Sequence, residues 1–262
     1  MDKRPIGIFD SGVGGLSVLA EVKKILPHES FIYFADQKNV PYGNKTPGEI
    51  RKITGHVMEF LMDRNIKMVI IACNTATVHA LDSLREKYKL PILGIFPVVK
   101  TASERTRNGR IAILSTIATS KSEYQEDLIV KFADGRYVVN FGTDKLVPYV
   151  ERGDTKSQRL TVQLTKLLKI LKEEKIDTLA LGCSHFPFLR KKITRILGRD
   201  VLILDSGAAV ARQAKNILKL EKIESHAEPH DIFYTTGSPT KFKKISKILL
   251  GIDLEDVRSA RL

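Results

Sequence analysis

The sequence predicts an α/β fold of two pseudosymmetric domains, each a mainly parallel sheet flanked by helices, with the active site in the cleft between them. Short apolar runs that end in small polar residues alternate with segments of helical period, the pattern of strands joined by crossover helices. The pattern then repeats. Ile8 and Ile113 are equivalent at an offset of 105 (113 − 8), the two Val-Pro-Tyr stretches at Pro41 and Pro148 at 107 (148 − 41), and Cys73 and Cys183 at 110 (183 − 73). The chain's only two cysteines each close an apolar run, Val69-Ile70-Ile71-Ala72-Cys73 and Thr178-Leu179-Ala180-Leu181-Gly182-Cys183. In parallel sheets ligands bind beyond the carboxyl ends of strands, so two such units packed mouth to mouth place both thiols on one cleft.

Taken in order, Ile6–Phe9 reads as a buried strand, Asp10–Gly15 as a glycine-rich turn, and Leu16, Leu19, Val22 and Leu26 as one face of a helix. The turn does not fit G-x-G-x-x-G. It joins backbone N–H groups to a helix N-terminus, which suits a carboxylate. Phe31–Phe34 is the second strand, followed by a loop containing Val40-Pro41-Tyr42-Gly43. Thr46-Pro47-Gly48-Glu49 has the cap, N1 proline and N3 glutamate of a helix start. Residues 68–72 form the strand into Cys73, a helix follows, and 92–95 is a fourth strand. In the second half, strands are expected at 110–114, 137–141, 178–182 and 201–204, and helices near 121–132 and 155–174. A loop is expected at 146–151. The tail carries a helix near 207–219, a strand at 231–235 and a helix near 239–250.

At 262 residues, 43% of them hydrophobic, the chain buries a large core. No apolar run is long enough to span a membrane, and no signal-peptide pattern precedes the first strand, which places the protein in the cytoplasm with its thiols reduced. The net charge of +13 is spread over many helices. Its densest patches, Arg190-Lys191-Lys192 with Arg195 and Lys241 with Lys243-Lys244, lack interleaved aromatics and match no nucleic-acid module, so they read as solvated helix faces whose field attracts a small acidic substrate. Two cysteines and six scattered histidines give no metal-ligand spacing. A helix N-terminus beyond each cysteine favours thiolate. A pseudosymmetric pair of thiols suits a carbon attacked from either face: one thiolate removes the Cα proton and a thiol on the other side returns one, which is racemisation.

The motifs Ile-Gly-Ile-Phe-Asp-Ser-Gly-Val-Gly-Gly-Leu at 6–16, Val-Pro-Tyr-Gly at 40–43, Ala-Cys-Asn-Thr-Ala at 72–76, Leu-Val-Pro-Tyr-Val-Glu at 146–151 and Gly-Cys-Ser-His-Phe-Pro at 182–187 resemble those of the glutamate racemases, in order and nearly over the full length. The resemblance implies a cofactor-independent enzyme interconverting L- and D-glutamate for peptidoglycan, with Cys73 and Cys183 as acid/base residues and a homodimeric assembly. It implies one domain of residues 1–97 plus 210–262, with the C-terminal tail returning to it, and a second of 98–209. Carried over by motif, Asp10 and Ser11 contact substrate, with Asp10 near Cys73. Pro41, Tyr42 and Gly43 line the site. Asn74 and Thr75 hold substrate beside Cys73, and Ser184 and His185 beside Cys183, where Glu151 gives support. Thr116 and Thr119 are substrate-side threonines, and no metal is implied. Plainer readings exist: Asp10 as a helix cap, Glu151 as a solvated loop residue, His185 as a structural histidine, Tyr42 as loop packing. Two departures stand out. Ser184 replaces the usual Thr, and Gly94-Ile95-Phe96-Pro97-Val98 replaces a more typical Glu-Pro-Gly where the chain crosses between domains. An aspartate or other amino-acid racemase of the same superfamily is the alternative enzyme. A non-catalytic protein binding an acidic ligand or nucleic acid is the alternative of another class.

Overall fold

A computed structural model describes residues 2–262. The first half runs β1 (Ile6–Asp10), α1 (Leu16–Ile25), β2 (Phe31–Ala35), α2 (Pro47–Met62), β3 (Met68–Ile71), α3 (Asn74–Lys87) and β4 (Ile92–Gly94). The crossing helix α4 (Val99–Arg105) leads into β5 (Arg110–Ser115), α5 (Ile117–Ser120), α6 (Glu123–Phe132), β6 (Tyr137–Gly142), α7 (Val147–Glu151), α8 (Gln158–Glu173), β7 (Thr178–Gly182), α9 (Arg190–Leu197) and β8 (Leu202–Leu204). The chain closes with α10 (Gly207–Leu220), β9 (Ile232–Thr235), α11 (Pro239–Leu250) and β10 (Val257–Ser259).

The repeat is visible in the sheets. The second sheet has the order β6-β5-β7-β8, and the first contains β2-β1-β3-β4, the same arrangement, extended at the β2 edge by β9 and β10. Every pairing is parallel. Ile8 pairs with Ile70 and Ile113 with Ala180, and each cysteine lies three residues beyond that partner. The C-terminal chain thus returns to the first sheet, where β9 pairs with β2, Thr235 beside Ala35.

The local signals explain the elements. Thr46 accepts from the Glu49 N–H while the Glu49 carboxylate accepts from the Thr46 N–H, a complete capping box at the start of α2. Leu160, Leu164, Leu168 and Leu171 form a fully buried stripe along α8, and each contributes on the order of 1.5–3 kcal/mol by leaving water. One apolar cluster runs through both halves, from Ile8 and Leu16 through Val147 and Val150 to Leu179 and Leu181.

Three expectations need correction. Residues 147–151 are a short helix, α7, because Pro148 near its N-terminus fixes a helical φ without removing an intrahelical donor. Cys73 directly precedes α3, but Cys183 does not directly precede an α-helix: a turn and a 3-10 segment (Phe186–Leu189) come before α9. The crossing segment 98–105 and the last strand, β10, carry no strong periodicity and were not expected as elements. In the crossing, Phe96 stacks on Tyr124 with ring centroids 4.6 Å apart.

At the end of the first sheet opposite the cleft, Lys67 is buried. Its Nζ lies 2.6 Å from Glu29 Oε2 and donates to the carbonyls of Asp2 (2.8 Å) and Ile223 (2.6 Å), and Glu29 Oε1 accepts from the Ser225 N–H at 2.8 Å. This cluster fastens the chain beyond α10 to the start of β3. Lys67→Ala strands a buried carboxylate and is expected to cost about 3–5 kcal/mol, read by urea unfolding. A change below about 1 kcal/mol, the range of surface ion pairs, would contradict the role of the cluster.

Candidate active site

Both thiols open onto one cleft, and each wall residue follows the carboxyl end of a strand. Ser11 follows β1, Pro41, Tyr42 and Gly43 follow β2, and Cys73, Asn74 and Thr75 follow β3. Thr116 follows β5, Val147 follows β6, and Cys183, Ser184 and His185 follow β7. Of the residues expected at the site, Asp10, Glu151 and Thr119 stand one layer back. The cleft is nearly shut, with a cavity volume of about 10 Å³, about the room one water needs, so admitting an amino acid requires the walls to part. A roomier cavity of about 460 Å³ lies between α1, residues 229–233 and residues 250–256, but no thiol or strand-end loop of the repeat lines it. Chemistry rather than volume selects the site.

On the Cys183 side three groups form a line. Cys183 Sγ lies 3.8 Å from His185 Nδ1, and His185 Nε2 lies 2.6 Å from Glu151 Oε1. Glu151 also accepts from the Val13 N–H at 2.7 Å and from Gln37 Nε2 at 3.0 Å. Burial pushes the His185 imidazole down, but its hydrogen bonds to Cys183 and Glu151 and the charge of Asp10 overcome that and hold it well above the usual imidazole range. A protonated ring donates at both nitrogens, to Glu151 and toward Cys183. His185 thus lies on the cleft wall between Cys183 and Glu151, and Glu151, on α7 and largely buried, is no solvated loop residue.

The Cys73 side differs. Cys73 occupies the N-cap of α3 without a side-chain capping bond, and its nearest side-chain partner is Ser11 Oγ at 4.0 Å. Burial pushes its thiol far above the ordinary range, and the Asp10 carboxylate pushes it further. The N–H groups of Ala76 and Ser11 pull the other way and lose. The thiolate expected from the helix terminus thus gives way to a resting thiol, because removing the sulfur from water outweighs the few N–H groups aimed at it.

Asp10 belongs to both sides. It is fully buried, accepting Ser184 Oγ at 2.8 Å and the Gly12 N–H at 2.9 Å. Burial raises its pKa, while the charge of His185 and these bonds restrain the rise. α1 begins at Leu16 with Gly15 at its N-cap, so Asp10 is not the helix cap. Ser184 needs only its hydroxyl for this bond.

Three threonine hydroxyls join the halves. Thr75 Oγ1 lies 2.9 Å from Thr116 and 3.1 Å from Thr119, and those two are 2.9 Å apart. Thr116 caps α5, so α3 and α5 meet through their N-termini. Beside them the buried Asn74 Nδ2 has no partner among the described residues, a free donor on the wall. Tyr42 is buried, and its hydroxyl donates to Asp36 at 2.8 Å.

The glycine turn is explained by what faces it. A Cβ on Gly12 would lie 2.0 Å from Glu151 Oε1, and one on Gly14 would lie 2.2 Å from His185 Nδ1. The turn of the first half is pressed against the acid–base line of the second, at a spacing only bare backbone allows.

Sequence reading missed Gln37, which holds Glu151, Tyr33, whose hydroxyl donates to the Gly12 carbonyl at 2.8 Å, and Ser17, which donates to the Ser184 carbonyl at 2.8 Å. Gln37 lies two residues past the end of β2, where the wall residues of the repeat also begin.

A closed cleft between two parallel sheets, with a thiol on each side and carboxylates behind them, is the site of an isomerase that moves protons at carbon. Residues 14–214 match the Asp/Glu/hydantoin racemase family. The glutamate racemase of Clostridium novyi is 43% identical, over 95% of this chain and 98% of that protein, and that of Pseudomonas paraeruginosa is 39% identical over 95% of each. Among solved structures, a glutamate racemase isoform of Bacillus anthracis superposes with a TM-score of 0.92 at 33% identity, covering 100% of this chain and 99% of that one. The Escherichia coli glutamate racemase, solved with L-glutamate and the activator UDP-MurNAc-ala, superposes with a TM-score of 0.89 at 30% identity and 98% coverage of both chains. The chain belongs to the Asp/Glu/hydantoin racemase family, and the relatives named above are glutamate racemases.

Gly14→Ala drives a methyl into His185 and is expected to lower kcat/KM about 100-fold through misplacement while circular dichroism stays native; full activity would contradict the packing. His185 also sets a pH dependence of stability. Its folded pKa is raised, so the folded chain holds a proton that the unfolded chain releases above about pH 6.5. The stability of wild type relative to His185→Gln is expected to be greatest below that pH and to be lost as pH rises through the folded value. A difference that grows with pH would contradict the assignment.

Proposed function

We propose that the protein interconverts L- and D-glutamate by a two-base mechanism in which Cys73 and Cys183 serve opposite faces of Cα. The observation that carries this reading is the pair of thiols, one from each copy of the repeat, on a single cleft with a different proton partner behind each. One sulfur, as thiolate, takes the Cα proton. The carbon flattens as its electron pair spreads into the adjacent carboxylate, and the other sulfur, as thiol, delivers a proton to the far face. The roles exchange in the reverse direction. The raised Cys73 thiol suits the donor that waits in one direction, and in that same direction the protonated His185 ring faces Cys183 as the thiolate that takes the Cα proton. Asn74 Nδ2, the hydroxyls of Ser11, Thr75, Thr116 and Ser184, and the N–H groups opening α3 supply donors for the two carboxylates. Tyr42 and Gly43, with Pro41, close one wall, and Asp10, Glu151 and Thr119 fix the groups that touch substrate. The closed cleft removes water around the carbanion, which strengthens each of these interactions.

The family likeness supports the wider reading: D-glutamate made for peptidoglycan, without an organic cofactor, by a homodimer in the cytoplasm. We divide the chain into one domain of 1–97 with the C-terminal chain and a second from 98 onward. The second boundary is best moved from 210 to the start of α10, because α10 packs on α1 as one helix.

Racemisation followed by circular dichroism, with no pyridoxal phosphate added, tests the activity. Glutamate is expected to turn over and aspartate not; the reverse would overturn the substrate assignment. Cys73→Ala and Cys183→Ala are each expected to lower the rate by about 10²–10⁴-fold, the span of one acid–base group, without unfolding. Either variant retaining wild-type activity would overturn the two-base reading.

A further inference from the structure

We propose that Gln37 is a positioning residue for the Cys183 half of the reaction, locking the Glu151 carboxylate so that it holds His185 against Cys183, and that the C-terminal strand β9 locks Gln37 in turn. The proposal rests on the racemase reading above and concerns how one of its two thiols is served.

The geometry is a chain of single, directed bonds. Glu151 Oε1 is occupied by the Val13 N–H (2.7 Å) and His185 Nε2 (2.6 Å). Oε2 has one donor among the described residues, Gln37 Nε2 at 3.0 Å. A glutamate carboxylate turns easily about its last torsion, so that donor fixes which oxygen faces the imidazole and at what angle. Gln37 cannot turn over without loss, since its Oε1 accepts Thr235 Oγ1 at 2.9 Å. An amide placed between a hydroxyl donor and a carboxylate satisfies both in one orientation only. Thr235 Oγ1 accepts from the Gly237 N–H at 3.0 Å, so its hydroxyl proton is directed at Gln37.

The neighbouring residue shows the same device on the other wall. Asp36 accepts from Tyr42 (2.8 Å) and from Thr236 Oγ1 (2.9 Å). Two consecutive residues beyond β2 thus tie two consecutive threonines at the end of β9, Thr236 to the Tyr42 wall and Thr235 to the Glu151–His185 line. Gln37 is not on the cleft wall. It acts on Cys183 only through Glu151 and His185, which makes it a positioning residue and predicts a one-sided effect.

Enantiomers have equal free energies in achiral solvent, so a variant must lower kcat/KM equally in both directions, and rate alone cannot reveal the side. The primary isotope effect of α-deuterated substrate, measured separately for each enantiomer, can. Gln37→Leu keeps the volume and removes the donor. It is expected to lower kcat/KM about tenfold, the effect of losing one hydrogen bond to a charged group. The isotope effects are expected to move apart, rising for the enantiomer deprotonated by Cys183 and not for the other. Thr235→Val is expected to give the same divergence with a smaller fall, and Thr235→Ser, which keeps the hydroxyl, to behave as wild type. Unchanged kcat/KM in Gln37→Leu, or a fall in which both isotope effects change alike, would overturn the proposal. Should Gln37→Leu fail to fold, the Thr235→Val and Thr235→Ser pair decides by the same divergence. Wild-type protein that racemises neither enantiomer would overturn the racemase reading itself, and this proposal with it.

Discussion

The carboxylate of Glu151 carries the interaction on which the site depends. It comes from the second half of the chain, yet two of its three donors, the Val13 N–H and the Gln37 amide, come from the first. Its third contact is His185, which lies against Cys183. One carboxylate thus both ties the two halves together and orients one proton partner. This explains why the glycine turn tolerates no Cβ and why the cleft walls must part and reseat around a substrate.

The two halves repeat their strands, but the repeat ends at the thiols. The strand order and the placement of each cysteine beyond its strand are the same in both sheets. The surroundings then differ: α3 starts at once after Cys73, whereas Cys183 is followed by a turn that brings His185 back to its own sulfur. Asp10 bridges the difference, bonding Ser184 on one side while its charge pushes the Cys73 thiol up on the other. On the two-base reading, symmetric placement gives access to both faces of a planar carbon, and the unequal partners let one buried sulfur rest protonated.

Much of this was legible in the sequence because it depends on period and position. The alternation of strands and helices, the capping box at Thr46, the repeat offsets and the strand-end location of both cysteines are patterns of period and position, and they located the cleft; the remaining wall residues came from the motifs that resemble those of the glutamate racemases. What was not legible depends on contacts across the molecule. Glu151 was named from its motif, but its partners Val13 and Gln37, which come from the other half of the chain, were not. Gln37 carries no motif, and its importance comes from two hydrogen bonds to residues far along the chain, Glu151 and Thr235. The state of the Cys73 thiol was misjudged for the same reason. A helix N-terminus is visible in sequence, whereas the burial and the Asp10 charge that outweigh it are not. β10 and α4 were missed because short elements hold too few residues to show a period.

The central claim is that a different sulfur serves each face of Cα. Running the reaction in deuterium oxide from a single enantiomer, and measuring α-deuterium in the product and in the unreacted substrate at low conversion, tests it most directly. Two separate thiols, each exchanging with solvent, predict deuterium in the product enantiomer and protium retained in the recovered substrate. A product that keeps the substrate's own α-proton would mean one group serving both faces and would contradict the account.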